Sequence, residues 1–502
     1  MGPHVSPGST VASAAPRPVN RRLTLVICCL SVGVTGIDLS IVNVALPSIS
    51  RDLHASVSSL QWAVDAYSLV MACLLLFSGS MADRFGRKRV FLLGLTLFTL
   101  SSLVCAIAPG IGWLIGFRAV QAVGGSMLNP VAMSIIVTVF TDRRERARAL
   151  GAWASVIGVT IATGPVLGGL LVGASTWRAV FWVNLPIGIV ALLLAKKFIP
   201  ESRAARARAF DPPGQALIIV LFASIVAGTI EGPRLGWAAP WTLGLFALAV
   251  LALAGLLVVE PRRPEPLIDL RFFRSPPFSG ANTISIVMTA GLSGFLFLNT
   301  LYLQDIRGLS PLHAGLMVVP LALGQAVSAN LAGRLVASRG TRLPLAVGGT
   351  LLAAGALLFV PLTASTDSVY LLVAYAVFGL GAGMISPPIT STAVSGLPPD
   401  QVGVAGAIAA SARQFGASTG VAVTGSIVTG TGADFIDSSH IAWALIGGCG
   451  VLVLVLGVLS TSRWAMAAAA RNGRLLAATA TPGPPGHAVP HQVASPRSAT
   501  KE

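Results

Sequence analysis

Charge is what this 502-residue sequence has least of. Only 10% of its residues are Asp, Glu, Lys or Arg and 54% are hydrophobic, whereas a soluble domain carries roughly 25% charged residues. No water-soluble core, however divided into domains, buries that share of apolar side chain. Cysteine is scarce as well. Cys28, Cys29, Cys73, Cys105 and Cys449 all fall inside apolar runs, without metal spacing or a paired extracellular pattern, and read as packing thiols. The six histidines are scattered, with no HExxH and no His/Cys cluster, so no metal site is expected. There is no Walker A loop, no Gly-Lys-Ser/Thr triplet and no G-x-S-x-G. These absences exclude an ATP-driven pump and the common hydrolases: no enzyme, no catalytic residue and no cofactor are expected. Energy has to come from an ion gradient, and intramembrane carboxylates suit protons.

What the chain has in abundance is apolar length. Fourteen runs of about 20 residues, the first at 23–46 and the last at 441–462, are each long enough to cross a bilayer as helix. Lipid offers the backbone no hydrogen-bond partners, so helices are the economical solution. The expected fold class is all-α integral membrane. The net charge of +16 tests the count. With the N-terminus inside and the spans alternating, inner segments hold 28 Lys and Arg, whereas outer segments hold only Arg51, Arg178, Arg234 and Arg307. Arg118 and Arg413 remain within spans. The positive charge is therefore topological: no basic soluble face for nucleic acid exists, and both termini are expected in the cytoplasm.

Two weak repeats run through this pattern. "GSMADRFG" (79–86) and "GRLVASRG" (333–340) share glycines seven apart at an offset of 254, and "GGSMLNP" (124–130) and "GAGMISP" (381–387) match at 257. Together they predict a duplicated six-helix unit around a midplane site, the architecture of secondary transporters. The expected division is a disordered lead at 1–22, a six-helix half at 23–199 and a two-helix insert with its loops at 200–278. A second six-helix half at 279–462 and a disordered tail at 463–502 complete it.

Four stretches carry chemistry. "GSMADRFGRKR" (79–89) places Gly79, Asp83, Arg84, Gly86 and Arg87 on an inner loop, where a topology anchor would need neither Asp nor fixed glycines. "GIDLSIVNVALP" (36–47) puts Asp38 in the first span, where an ionisable group is expensive and usually functional. "LIGFRAVQAVGGS" (114–126) adds Arg118 and Gln121 in the fourth span; a lone Arg at that depth needs a counter-charge, and Asp38 is the obvious one. "GVTIATGPVLGG" (158–169) gives the fifth span small residues for close helix approach and a bend at Pro165. In the second span, Asp65 lies between Trp62 and Tyr67. It either attracts a cationic substrate or is a solvated acid near the outer edge. Glu231 and Asp305 sit near outer helix ends; either could take part in proton transfer, and exposed acids are the preferred reading.

The loop at 79–89 fits G-x-x-x-D-R-x-G-R-K and so resembles the signature of the major facilitator superfamily. The stretches at 36–47 and 158–169, with Gly158, Gly164, Pro165, Gly168 and Gly169, resemble the first-span and antiporter motifs of its fourteen-helix drug:proton antiporters. Other stretches typical of that branch, among them "STWRAVFWVNLPIG" (175–188) and "ARQFG" (412–416), extend the resemblance over roughly 23–462. Ala122 stands where the family pattern has Gly after Gln121. The resemblance implies a major facilitator fold of two six-helix halves plus two extra central helices, acting as a monomer in a bacterial plasma membrane. It implies proton-driven export of amphiphilic drugs or antibiotics, cationic ones among them, of the kind seen in actinomycete self-resistance. It implies proton coupling at Asp38 and Arg118 and a substrate cavity at Trp62, Asp65, Tyr67, Gln121 and Gln414. It also implies a gating latch at Gly79–Arg87 whose partner is the helix start near Gly403. Export of an endogenous metabolite, lipid or peptide is the alternative on the same fold. A non-transporting membrane sensor is the alternative of another class, against which stand the intact Asp38, Asp83 and Pro165.

Overall fold

The computed structural model describes residues 20–203, 210–395, 397, 401–430 and 435–479. Among them the chain is helical throughout, with no strand. The first half contains α1 (Arg21–Leu53), α2 (Val57–Phe85), α3 (Arg87–Ala106), α4 (Ile111–Val139), α5 (Arg143–Ala174), the short α6 (Ala179–Trp182) and α7 (Asn184–Phe198). A hairpin of α8 (Pro212–Leu235) and α9 (Pro240–Val259) follows. The second half contains α10 (Pro276–Leu301), the short α11 (Pro311–Met317), α12 (Val319–Arg339), α13 (Arg342–Leu357), α14 (Ser368–Ala393), α15 (Val402–Gly430) and α16 (Phe435–Ser460); α17 (Arg463–Thr479) closes the described chain.

Local sequence explains many of the boundaries. Side chains of Asn20, Ser56, Asp142, Asp211 and Asp367 accept from the first free amides of α1, α2, α5, α8 and α14. Gly86 and Gly340, equivalent at the repeat offset of 254, end α2 and α12 with φ of 108° and 80°, where a side chain would be strained. Among the described residues, eleven helices, counting α6 with α7 and α11 with α12, are long and apolar enough to span a bilayer. The count is twelve if the two pieces of α5, bent by 43° at 160–163, form one span. Pro165, which lacks a backbone amide, stands just after that bend. Of the fourteen expected runs, the one at 345–363 forms the 16-residue α13, and the one at 403–430 forms α15, outside this set.

The two halves repeat one packing plan. α1 lies on α5 and α10 on α15; α2 lies on α4 and α12 on α14; α3 packs α4 and α7 as α13 packs α14 and α16. The halves meet along two seams, α2 with α15 and α5 with α11. α8 lies against both α2 and α15, and α9 packs chiefly on α8. The outer face of α9 is apolar and open: Trp241, Val250 and Leu251 are each about two-thirds exposed, as suits a surface facing lipid.

One expectation is corrected outright. The tail expected to be structureless from 463 is helical over Arg463–Thr479. Ala465, Ala469, Asn472 and Leu476 are buried at helical spacing, and Leu476 packs with Phe272 and Phe278. Residues 1–19 and 480–502, the rest of the expected disordered ends, lie outside the described residues.

Candidate functional site

The structure brings Asp38 and Arg118 together in the middle of the first half. Asp38 is wholly buried on α1, and an Arg118 Nη1 donates to its Oδ2 at 2.5 Å from α4. Gln121, one turn along α4, donates to Asp38 Oδ1 at 2.9 Å and accepts from Arg118 at 2.7 Å. Asn184 at the start of α7 donates to the same Oδ1 at 2.8 Å, and Ser102 of α3 accepts from Gln121 at 2.7 Å. The guanidinium also donates to the carbonyl of Ala63 and lies 4.3 Å from the centre of the Tyr67 ring. Four helices and α7 thus converge on one ion pair whose side chains are 2% and 0% exposed. Removing either charge leaves the other buried and uncompensated, which costs about 3–5 kcal/mol.

Asp65 has the opposite surroundings. It is buried on α2 at the seam with α15, and neither carboxylate oxygen has a hydrogen-bond partner. Ser418 of α15 is the polar group beside it. One turn away, Gln61 ties the seam, donating to the carbonyls of Val421 and Ala422 at 3.1 and 2.9 Å, with its amide packed on Gly425. Gln414 is half-buried one turn before Ser418 on the same face of α15.

Three residues expected on the substrate cavity lie elsewhere. Trp62 points out to the hairpin and donates to Glu231 of α8 at 2.9 Å. Tyr67 and Gln121 belong to the Asp38 cluster, enclosed within the first half. The physical reason is helix periodicity of about 100° per residue: Tyr67, two residues past Asp65, points to the opposite side of α2 toward α4, and Trp62, three residues before it, is offset by about 60° toward α8. Glu231, expected to be exposed, is half-buried in that contact and paired with Arg234 at 2.7 Å; Asp305 is exposed.

The glycines of the fifth span divide by function. A Cβ at Gly164 or Gly168 would collide with Ser40 or Ile41 of α1, and one at Gly169 with the Pro311 carbonyl of α11. Gly315 of α11 returns the contact against the Pro165 carbonyl. Gly158 has no such neighbour. Beside Pro165, between the halves, lies a cavity of about 20 Å³ lined by Ser40, Asn43, Asn299, Thr300 and Gln304. Gln304 crosses the interface to donate to the Val44 carbonyl at 2.9 Å. Sequence reasoning gave no role to Asn184, Asn299 or Gln304; the available signal was a polar amide inside an otherwise apolar run.

Among the described residues, the loop at 79–89 is engaged with the first half and with the chain that leads to the hairpin. Asp83 pairs with Arg87 at 3.1 Å, Arg87 donates to Thr138, and Arg84 stacks over Phe210 at 4.9 Å. The chain after α7 fastens the turn. Glu201 seats on Gly86, accepts from the Lys88 amide at 3.2 Å and reaches Arg89 at 3.6 Å, and the Arg87 amide donates to the Ser202 carbonyl at 2.9 Å. Among the described residues, nothing lies within 4 Å of a Cβ placed on Gly79 or on Gly403. The contacts of α5 and α1 with the second half, at Pro165, Gly169 and Val44, lie at the opposite end of the bundle from this loop.

Comparison with known proteins gives a consistent picture. The profile of the Major Facilitator Superfamily matches residues 28–421. The multidrug resistance protein Stp of Mycobacterium tuberculosis is 36% identical over 406 residues, 81% of this chain and 75% of that one. The methylenomycin A resistance protein of Streptomyces coelicolor is 37% identical over 85% of this chain and 89% of its own length. The puromycin resistance protein pur8 of Streptomyces alboniger is 36% identical over 86% of each. A crystal structure of a bacterial homolog of the human lysosomal transporter Spinster, inward-facing and occupied, superposes with a TM-score of 0.60 over 91% of this chain and 95% of that one, at 18% identity, which shows the shared fold.

Proposed function

The chain belongs to the Major Facilitator Superfamily, and from that premise we propose that it is a proton-driven antiporter exporting amphiphilic, preferentially cationic, drugs or antibiotics. Membership makes it a multi-pass membrane transporter rather than an enzyme. In this reading the fourteen apolar runs form fourteen spans, two six-helix halves with α8 and α9 between them, acting as a monomer with both termini on the cytoplasmic side of a bacterial plasma membrane. The Lys and Arg asymmetry supports the orientation. The loop at 79–89 is then cytoplasmic and latches the halves when they close there. The contacts at Pro165, Gly169 and Val44 then lie toward the outer side.

The observation that carries the reading is the buried Asp38–Arg118 pair. An ion pair held by Gln121 and Asn184 has two states, ionised and paired, or protonated at Asp38 with Arg118 left to its aromatic and amide neighbours. Proton binding therefore changes the forces between α1, α4 and α7, which is what coupling requires. Asp65, with Gln414 on the facing helix, offers the second acid, at the seam that opens and closes. A carboxylate without a partner at that depth is costly, so the seam closes over Asp65 carrying a proton and opens to offer a charge to a cation.

Two measurements test this. A susceptibility panel in an exporter-deficient host is expected to show raised tolerance to amphiphilic cations when the chain is expressed. Proteoliposomes are expected to release protons when substrate is added. Full export with no proton movement would sink the antiport mechanism; no change in tolerance to any drug would sink drug export.

A further inference from the structure

The base of the α8–α9 hairpin holds a pair of buried acids outside the site described above. Asp211 is the N-cap of α8, and Glu260 opens the 3-10 turn Glu260–Arg262 that ends α9. Glu260 is 1% exposed and the Asp211 side chain 2%. Glu260 Oε1 and Asp211 Oδ2 both lie within 2.6 Å of the position a Cβ on Gly214 would take, and hence within about 5 Å of each other. Only glycine leaves room for both there.

Their partners are unequal. Asp211 Oδ1 accepts from the Gly214 amide at 3.2 Å and faces Arg263 Nε at 3.5 Å, and its Oδ2 accepts from the Leu267 amide at 3.3 Å. Glu260 Oε2 accepts from the Ile268 amide at 3.4 Å. Glu260 Oε1, buried and aimed at Asp211, accepts from nothing. Among the described residues, the charged groups facing Glu260 are Asp211 and, more distantly, Arg263. The segment after the turn contributes backbone amides, with its own Asp269 turned to Arg271 at 2.8 Å. From α2, Arg84 is engaged over Phe210, next to Asp211. One half-exposed arginine does not neutralise two buried carboxylates.

We propose that Asp211 and Glu260 hold one proton between them, and that this shared proton staples the base of the hairpin. The proton resides on Glu260, whose unpartnered oxygen then becomes a donor toward Asp211. When it leaves to solvent, two like charges face each other in a buried site and the hairpin base loosens. Phe210 lies against Phe77, Phe85 and Arg84, so the loosening is felt at the loop after α2.

The test is infrared difference spectroscopy on the full chain in nanodiscs, wild type against E260Q, across pH. One protonated-carboxyl C=O band is expected in the wild type and missing from E260Q; any band from Asp65 is common to both and cancels. In D211N the same band should titrate away about one pH unit or more lower, since the neighbouring negative charge is gone. Thermal unfolding gives an independent reading. The folded wild type binds one more proton than the unfolded chain, so its stability should fall as pH rises through the band's midpoint, and E260Q should lack that slope. If E260Q does not accumulate, the D211N shift alone decides. No band lost in E260Q, a band indifferent to D211N, or a band displaced by sodium at constant pH and ionic strength would each overturn the proposal.

Discussion

At one and the same repeat offset of 257, Asp38 falls on Phe295, Arg118 on Tyr375 and Gln121 on Phe378. The contacts repeat as well. Asp38 touches Arg118 and Gln121, whereas Phe295 stacks on Phe378 at 4.1 Å and meets Tyr375 edge-on at 6.0 Å. Asn184 approaches Asp38 from the sixth span of its half, and Trp443 of α16 approaches Phe295 at 5.2 Å from the last. One scaffold position therefore holds an ion pair in the first half and an aromatic stack in the second. A hydrogen-bonded ion pair reorganises when a single proton arrives, but a ring stack has no comparable switch. In the reading proposed above, the ion pair of the first half is the switch and the aromatic stack of the second is its stiff counterpart.

The largest effect should come from breaking the charged side of this comparison. Asp38→Asn is expected to abolish proton-coupled export, leaving Arg118 buried without a counter-ion. The measurement is substrate-driven proton release in proteoliposomes, beside a check of membrane insertion. Wild-type coupling in this variant would remove Asp38 from the mechanism. Breaking the aromatic side should do something different in kind. Phe295→Ala empties the centre of the stack and is expected to cost about 3–5 kcal/mol of stability on the scale of Phe truncations. Thermal unfolding would fall while the number of protons released per substrate exported stays unchanged. A changed ratio would mean that the second half also titrates.

Much of the first-half site was legible because membrane burial makes each charge conspicuous. Asp38 and Arg118 stand out in apolar runs, and an Arg at that depth demands a counter-charge, so their pairing followed from two residues alone. The repeat was legible through glycines, since Gly86 and Gly340 both adopt positive φ at equivalent helix ends. The aromatic half was not, because Phe295 and Phe378 in an apolar run look like any other core residue. Nor did any local pattern say that α8 would lie against the α2–α15 seam, which is why Trp62 was expected in the cavity and instead meets Glu231. The helix at Arg463–Thr479 escaped because alanines carry its buried face at 465 and 469, and alanine contributes little contrast to a periodicity. Glu201 and Phe210 escaped because their contacts with the loop at 79–89 span more than a hundred residues.

An intermediate effect is expected at Asp65, which sharpens the comparison within the first half. Asp38 has a full set of partners, whereas Asp65 has only the Ser418 hydroxyl beside it. Asp65→Asn should leave the fold intact, since an amide resembles the protonated acid. Export of a cationic substrate should fall about tenfold, the scale of one hydrogen bond or contact to a charged group, and a neutral substrate should be spared. Equal loss for both, read as initial export rates, would mean that Asp65 serves the seam rather than the cation.

The smallest effect lies at the loop, where the halves differ again. At the offset of 254, Asp83 falls on Ala337 and Arg84 on Ser338, so the second half keeps the glycine turn without the acid. In the described state Asp83 pairs only with Arg87, four residues on, with side chains 31% and 15% exposed. Such i,i+4 pairs are worth about 0.3–0.5 kcal/mol. A loss of that size changes a two-state balance about twofold. If the pair merely trims the end of α2, Asp83→Asn should leave the export rate within about twofold of wild type. If Asp83 instead holds the halves together when they close at this end, the missing partner belongs to the other state. The variant should then express and orient normally, keep the present seams at Pro165 and Gly169, and lose several-fold in turnover, because only closure of the loop end is penalised. The second outcome is expected, since Gly86 and Glu201 already fasten the turn without Asp83's help. Cysteine accessibility at the loop end, read beside export rate, separates the two: normal values of both would show that Asp83 is dispensable and that the loop of the first half works as the acid-free one of the second does.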